Sequence, residues 1–460
     1  MDPFDSALSL ATAVRTRELS PVEIADAYLK RIDRLDPEIG AFVWRNDDEL
    51  RDAARAAERA VQDVPIPIKD LTEVAGQPAT FGSLAVDDAP RRHTEPVVRR
   101  FQAAGLLLMG RTNTPDMGLL STTDNTRYGH TRNPWNPAHS PGGSSGGAAA
   151  AVAAGLAPVA HANDGGGSIR MPASSCGLVG LKPSRGRVPQ YVTAWDHATV
   201  EGVVTRTVRD TAALLDAMSV PDPLVMYQAP PPARPFLEEA GRECEPLRIG
   251  LLLDAPTGMP VDPVCVAAAE HTARLLESLG HAVVPASPGF YSEEAIAGYA
   301  LTILDAALCA APYDHPELAE PHPRHRMTRA ERRSSGDYAR ASALLAEESV
   351  RVREQWGGEF DVLLTPTMAC PPPLVGVVLE EANANPDGLR VTETQMISFT
   401  SVCNVAGLPA VTVPTFVSPD GLPIGSMLVG GPWDEAVLLR LAGALEALDG
   451  WPERRPARFA

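Results

Sequence analysis

The sequence predicts an α/β fold. Short apolar segments, typical of buried strands, alternate along the chain with longer segments in which apolar residues recur every three or four positions. Apolar residues make up 44% of the 460 residues and charged residues 21%, which is ordinary for a globular chain with a sizeable core. Large α/β enzymes often reach this length as one compact unit, and we predict a single domain over residues 1–460.

The first clear helix begins after Ser20. Serine caps helices well, Pro21 suits the first helical position, and Glu23 places a carboxylate in the first turn. The same patterns predict helices at 47–61 and 96–104 and short strands at 66–68 and 106–109.

The second half of the chain repeats this alternation. Residues 219–235 are rich in proline and predict a surface connection, and Tyr313–Arg333 is predicted as an irregular loop. We predict strands at 247–253, 281–284, 362–365, 411–415 and 424–429, and helices at 261–279, 293–311, 337–356 and 434–448.

Net charge limits the class of ligand, and the N-terminal residues and cysteine spacing indicate the cellular compartment. The chain has 40 basic and 58 acidic residues, a net charge of −18, which argues against nucleic acid or an anionic membrane as a ligand. Acidic residues follow Met1 where a signal peptide carries positive charge, and no apolar run reaches the roughly 20 residues of a membrane span. The six cysteines are scattered without CxxC spacing. We therefore predict a cytoplasmic protein with reduced thiols.

A glycine- and serine-rich segment, Ser140–Gly147, precedes an alanine-rich helix. Gly143 to Gly147 fits the G-x-S-x-G pattern, in which Ser145 is the nucleophile of a sharp turn after a strand. The preceding residues 136–141 contain two prolines and do not form a central strand, so this interpretation is disfavoured. Phosphate binding is a second alternative, but the lysine of a phosphate-binding loop is missing.

A second glycine segment, Asp164–Ser168, has three glycines directly before a serine. Without Cβ atoms, successive backbone N–H groups can converge on one point, which is what a developing oxyanion requires. Buried-type residues follow at once, beginning with Ile169, so a flexible linker fits poorly. The pattern favours Ser168 as a catalytic residue without excluding a structural role.

Lys69 ends the apolar segment Val64–Ile68. Lysine is rarely buried unless it is paired or functional, and burial lowers its pKa enough to make it a base near neutrality. A lysine at a strand end can also reach solvent, and the residue alone does not decide between these interpretations.

Taken together, these segments resemble the amidase signature family. Further matches are Gly110–Gly118, Asn133–Asn136, Cys176–Pro183, Gly407–Ala410 and Gly421–Gly425, in family order over about residues 60–430. The resemblance implies a mixed, twisted central sheet flanked by helices on both faces. It also implies a signature core at 60–210 and a variable insert at 224–353 that lines the substrate pocket.

The resemblance also implies an amide hydrolase with an acyl-serine intermediate and a Ser-Ser-Lys triad. Ser168 is then the nucleophile, Ser144, which in the family follows a cis peptide bond, the bridging serine, and Lys69 the base. The backbone N–H groups of Gly165, Gly166, Gly167 and Ser168 form the oxyanion hole. Supporting roles go to Asp164, Arg170 and Ser145. No cofactor or metal is expected, the substrate is a small-molecule amide, and a homodimer is possible.

Three residues depart from the family pattern. Asn163 stands where threonine is usual, Gly165 where a larger residue is common, and Met427 where many members carry glutamine. The resulting Asp164–Ser168 segment is similar to that of enzymes opening cyclic and linear ω-amino-acid amides, such as nylon-oligomer hydrolases. Pocket walls are expected from 191–197 and 313–333.

Three alternatives remain at this point. One is a glutaminase-type subunit of an amidotransferase complex, and another is a catalytically silent binding scaffold. The third is a metal site on the histidine cluster, His315, His322 and His325, although its loop lacks the defined spacing of zinc sites.

Overall fold

The computed structural model describes residues 1–57 and 64–459. The strands in this part of the chain are β1 (Phe42–Trp44), β2 (Val64–Lys69), β3 (Leu106–Thr112), β4 (Asp124–Asn125), β5 (Gly129–His130), β6 (Val159–Asp164), β7 (Val179–Lys182), β8 (Val200–Thr205), β9 (Arg248–Leu251), β10 (Ala282–Pro285), β11 (Val362–Pro366), β12 (Ala410–Val417) and β13 (Pro423–Gly430).

The helices match most of the predicted segments. The predicted helix at 47–61 begins at Asp47 and is described to Ala57, and its predicted end lies outside the described residues. The helices are α1 (Ala7–Arg15), α2 (Pro21–Ile39), α3 (Asp47–Ala57), α4 (Pro96–Ala103), α5 (Gly146–Ala153), α6 (Arg170–Cys176), α7 (Val208–Met218), α8 (Phe236–Glu239), α9 (Pro263–Ser278), α10 (Glu293–Gly298), α11 (Leu304–Leu308), α12 (Pro321–Ala330), α13 (Ser335–Arg353), α14 (Val377–Ala384), α15 (Val391–Ile397), α16 (Ser401–Ala406) and α17 (Glu435–Asp449).

The central sheet is mixed, as predicted. Its eight strands run in the order β10-β9-β11-β13-β12-β7-β8-β6. Strand β9 pairs in parallel with β10 and β11, whereas the remaining neighbours in this sheet are antiparallel. A smaller sheet, β1-β3-β2, lies with β2 against β6, at the edge of the large sheet.

Helices cover both faces of the central sheet. Successive residues of a strand point to opposite faces. Leu364 and Leu428 belong to the largest apolar cluster, which α9 and α17 also enter. Their neighbours Leu363 and Met427 belong to a separate cluster with α13 and α16. Since both faces bury apolar side chains under helices, the predicted α/β architecture is confirmed.

The segment at 313–333 differs from its predicted irregular form, because α12 spans Pro321–Ala330. Proline is tolerated in a first helical turn, where the backbone N–H has no intrahelical partner, so Pro321 does not prevent the helix. Arg326 and Arg329 of α12 both bind Asp305 of α11, at 2.8 and 2.5 Å. The helix is therefore anchored by ion pairs that the sequence pattern did not reveal.

The proline-rich stretch at 219–235 contains no helix or strand, in agreement with the predicted connection. All six cysteines are free thiols. In the described part of the chain, no helix is both long and apolar enough to cross a membrane. The domain limits at 60–210 and 224–353 stay predictions.

Candidate active site

The fold brings the predicted triad to one place. Lys69 is the last residue of β2, and Asp164 is the last residue of the adjacent β6. Ser144 lies two residues before α5, and Ser168 lies two residues before α6. Ser144 and Ser168 both line a cavity of about 610 Å³.

Lys69 is fully buried, and its amine is hydrogen-bonded to Ser144. Its Nζ lies 2.7 Å from Ser144 Oγ and 2.7 Å from Asn163 Oδ1. Burial lowers the pKa of Lys69 to about 7, against the opposing fields of the Glu201 and Asp164 carboxylates. A large fraction of Lys69 is therefore a neutral amine near neutral pH, as a general base requires.

The backbone of Lys69 is fixed by a buried histidine. The Lys69 N–H donates to His161 Nδ1 at 3.3 Å, and His161 Nε2 lies 2.7 Å from Glu201 Oε2. Because a backbone N–H can only donate, Nδ1 accepts, and Nε2 is the ring nitrogen that faces Glu201. This chain of bonds connects the end of β2 to β8.

The loop carrying Ser144 requires glycine. A Cβ on Gly143 would lie 2.5 Å from the carbonyl oxygen of Thr122, closer than packed atoms come. The peptide bond between Gly143 and Ser144 is cis. Thr123 Oγ1 donates to Gly142 O at 2.9 Å and accepts from the Gly146 N–H at 3.0 Å, which ties the loop together.

The two serines that compete for the role of nucleophile differ in access. Ser168 is 7% exposed and lines the cavity, whereas Ser145 is 0% exposed and donates to Asn163 O at 3.2 Å. The cavity therefore presents Ser168, in agreement with the prediction from the glycine segment. No hydrogen bond joins Ser168 to Ser144 in the described chain, and in enzymes without substrate such contacts are often long.

One of the predicted oxyanion donors differs from the others. The Gly167 N–H donates to Asp164 Oδ1 at 2.6 Å, so this group is occupied within the loop. The N–H groups of Gly165, Gly166 and Ser168 have no acceptor among the described residues. These three remain as candidate donors to an oxyanion.

Asp164 and Arg170 form a buried ion pair that holds the glycine loop. The Arg170 Nε lies 3.0 Å from Asp164 Oδ2, and the Asp164 carboxylate also accepts the Ile169 N–H at 3.1 Å. Burial alone would raise the pKa of Asp164, but the charge and hydrogen bonds of Arg170 hold it well below its ordinary value. Asp164 thus stays ionised as the structural centre of the loop.

Two supporting residues were missed by the sequence analysis. Asn404 Nδ2 donates to Asp164 Oδ1 at 2.8 Å, and its Oδ1 accepts from Arg170 at 2.5 Å. Thr400 Oγ1 donates to Gly166 O at 2.6 Å. The available signal was an asparagine inside the mostly apolar helix α16, because a buried polar side chain needs partners.

Met427, one of the three departures from the family pattern, contacts Arg170. In the structure its Sδ accepts a hydrogen bond from Arg170 Nη1 at 3.4 Å. The Met427 thioether is a weak acceptor, whereas the glutamine that many family members carry here has a stronger one, its amide oxygen.

The cavity walls come from several parts of the chain, including both of the predicted pocket regions or their neighbours. The insert contributes residues 303–312 around α11 together with Tyr338, and the loop at 192–197 contributes Trp195. The expected contribution of 191–197 is present, whereas 313–333 supplies no wall residue in the described cavity. The wall expected from 313–333 is therefore supplied by the preceding segment, 303–312.

The Trp195 indole packs directly against Gly165. A Cβ on Gly165 would lie 2.4 Å from Trp195 Cζ3, so the indole occupies the space that a larger residue would need.

The Gly165→Ala variant should therefore lose about 1–3 kcal/mol of unfolding free energy, the usual effect of overpacking, as measured by urea denaturation. Gly166→Ala is the matched control, because no atom lies within 4 Å of its added Cβ. Equal losses in both variants would contradict this account.

The histidine cluster is not assembled as a metal site. His315 lies near Asp87, His322 Nδ1 near Asn383 Oδ1, and His325 near Asp387. Over residues 1–57 and 64–459, no group of three or more His, Cys, Asp or Glu side chains is placed to hold a metal ion.

Known proteins resemble this chain over its full length. The sequence matches the Amidase family over residues 23–439. It is 36% identical to the 6-aminohexanoate-cyclic-dimer hydrolase of Paenarthrobacter ureafaciens, over 99% of this chain and 97% of that one. It is 34% identical to the acylamidase of Rhodococcus erythropolis, over 98% and 97% of the two chains. A solved 6-aminohexanoate cyclic dimer hydrolase complexed with substrate has a TM-score of 0.92 and 34% identity, with 100% of both chains covered.

The fold and these relatives define the class of protein as a hydrolase of amide bonds. The chain belongs to the Amidase family of amidase signature enzymes, close to the 6-aminohexanoate cyclic dimer hydrolases.

Proposed function

We propose that this enzyme cleaves a small-molecule amide through an acyl-Ser168 intermediate, using Ser144 and Lys69 as a proton relay. The observation that carries the proposal is the 2.7 Å contact between the buried Lys69 Nζ and Ser144 Oγ, beside the cavity that presents Ser168. No cofactor is required by this chemistry.

The reaction begins with the neutral lysine. Lys69 takes the hydroxyl proton of Ser144, Ser144 takes that of Ser168, and Ser168 Oγ bonds to the amide carbonyl carbon. The N–H groups of Gly165, Gly166 and Ser168 stabilise the oxyanion of the tetrahedral intermediate. The C–N bond then breaks as the relay returns the proton to the leaving nitrogen. Water attacks the acyl ester while the relay takes one of its protons; the C–O bond to Ser168 Oγ then breaks, and the relay returns the proton to Ser168 as the acid leaves.

The proposed substrates are amides of ω-amino acids. Full-length similarity to 6-aminohexanoate-cyclic-dimer hydrolases supports this class. The cavity also supports this substrate class, because its volume of about 610 Å³ is large enough for an aliphatic amide of an ω-amino acid. Its walls include the apolar side chains of Leu71, Val97, Leu119, Ile303 and Leu308.

The test is incubation of the purified enzyme with the 6-aminohexanoate cyclic dimer, an aryl acylamide and glutamine, with products quantified by mass spectrometry. We expect ring opening of the dimer, an acyl adduct on the peptide containing Ser168, and undiminished rates with EDTA. Cleavage of glutamine alone would favour the glutaminase-subunit alternative. No cleavage by wild-type enzyme of any of these amides would favour the silent scaffold.

A further inference from the structure

Three oxygen atoms surround the amine of Lys69. Nζ lies 2.7 Å from Ser144 Oγ, 2.7 Å from Asn163 Oδ1 and 3.5 Å from the Asn163 backbone carbonyl oxygen. Two of the three therefore belong to one residue, Asn163, which also lines the cavity. Neither the side chain nor the backbone carbonyl of Asn163 exchanges a proton in the proposed Lys69–Ser144–Ser168 relay.

The chemistry of these oxygens differs. An amide oxygen and a backbone carbonyl oxygen only accept hydrogen bonds, whereas a serine hydroxyl can also donate. A neutral lysine amine has two N–H bonds and one lone pair. When both N–H bonds point to Asn163, the lone pair points to Ser144, where the proton must be taken.

We propose that Asn163 is a positioning residue that directs the lone pair of neutral Lys69 at the hydroxyl of Ser144. The inference rests on the proposed Ser-Ser-Lys relay and adds to it the group that orients its base. Threonine, which is usual at this position, has a hydroxyl that can donate or accept, and so does not impose one direction on the amine.

The charges near Lys69 decide how an acidic substitution would act. From β6, Asp164 and His161 face Lys69, and Glu201 faces it from β8. On the β2–β3 side, Arg111 Nη2 donates to Lys69 O at 3.2 Å, and Asp70 pairs with Arg111. A carboxylate at position 163 would add a negative charge in direct contact with Nζ, favouring the ammonium form.

The experiment compares Asn163→Ala, Asn163→Thr and Asn163→Asp with wild type. Acylation by an activated ester is measured under single-turnover conditions from pH 5 to about 10, a range that spans the titration of Lys69. Labelling of Ser168 by a phosphonate and thermal unfolding are recorded for each variant. We expect Asn163→Ala to lower the maximal acylation rate by about 100-fold with little change in KM, the effect of a misoriented group.

The other two variants separate orientation from structure. Asn163→Thr should retain an intermediate rate, and Asn163→Asp should move the rise of rate with pH upward by about one unit or more, recovering activity in alkali. Near-normal acylation by Asn163→Ala, or an unmoved pH profile for Asn163→Asp, would overturn the inference. If Asn163→Ala does not fold, the Asp profile decides. Absence of a Ser168 label in wild-type enzyme would instead overturn the proposed function.

Discussion

The Ser168→Ala variant should form no acyl-enzyme and should lose turnover by about 10⁶-fold, the effect of removing the nucleophile in other serine hydrolases. Ser168 is slightly exposed at the cavity wall, and its hydroxyl makes no hydrogen bond to another described residue. Alanine removes that hydroxyl without changing the backbone donors, so substrate binding and unfolding temperature should change little. Intact-protein mass spectrometry after a phosphonate or an activated ester measures the adduct directly.

Ser145→Ala is the matched control, because Ser145 is a buried loop serine that does not line the cavity. This variant should still be labelled at Ser168. A label that maps to Ser145 in wild type, or that survives in Ser168→Ala, would transfer the role of nucleophile to Ser145.

Lys69→Arg should lose acylation activity by several orders of magnitude, about 10²–10⁴-fold, even though it keeps the positive charge. A guanidinium does not give up its proton near neutrality, so it supplies no lone pair to Ser144. Lys69→Ala should lose as much, because it removes the base entirely. A lysine with only a structural role would tolerate arginine and suffer mainly from alanine.

The pH profile of wild type provides the internal control. In the proposed relay only neutral Lys69 can act as the base, and burial lowers its pKa to about 7, so the acylation rate should rise with pH through about 7 and level off above it. Stopped-flow measurement of acyl-enzyme formation at several pH values tests this for wild type and both variants. Near-normal acylation by Lys69→Arg would remove Lys69 from the mechanism.

The sequence indicated the segments that form the candidate site more fully than the residues that hold these segments in place. Lys69, Ser144 and Ser168 occur in segments whose composition is unusual, namely a lysine on a buried strand and serines beside glycine runs. Local chemistry of this kind is visible without a fold. Asn404 and Thr400 lie more than 200 residues from the loop they hold, as the contacts of Asn404 with Asp164 show. Periodicity carries no information about such pairings.

The same limit explains why the structure departs from the expectations at Gly167 and at 313–333. Gly167 was grouped with its neighbours because the sequence does not show which N–H group an adjacent carboxylate will take, and Asp164 takes this one. The segment at 313–333 was predicted as a loop, because residue type alone does not show that Pro321 lies in the first turn of a helix. In both cases the deciding fact is a local geometry that residue type alone leaves open.

Because Lys69 is buried, the free energy of unfolding also depends on pH. The pKa of Lys69 is about 7 in the folded enzyme, against an ordinary value of 10.5 that applies when the chain is unfolded. Between these two pH values the unfolded chain holds a proton that the folded chain has released, so the free energy of unfolding rises with pH across this window. Below about pH 7 both states are protonated at this residue, and the desolvation of a buried ammonium opposes folding in full. Through this one residue, the pH range in which we expect the acylation rate to rise is also one in which the fold gains stability.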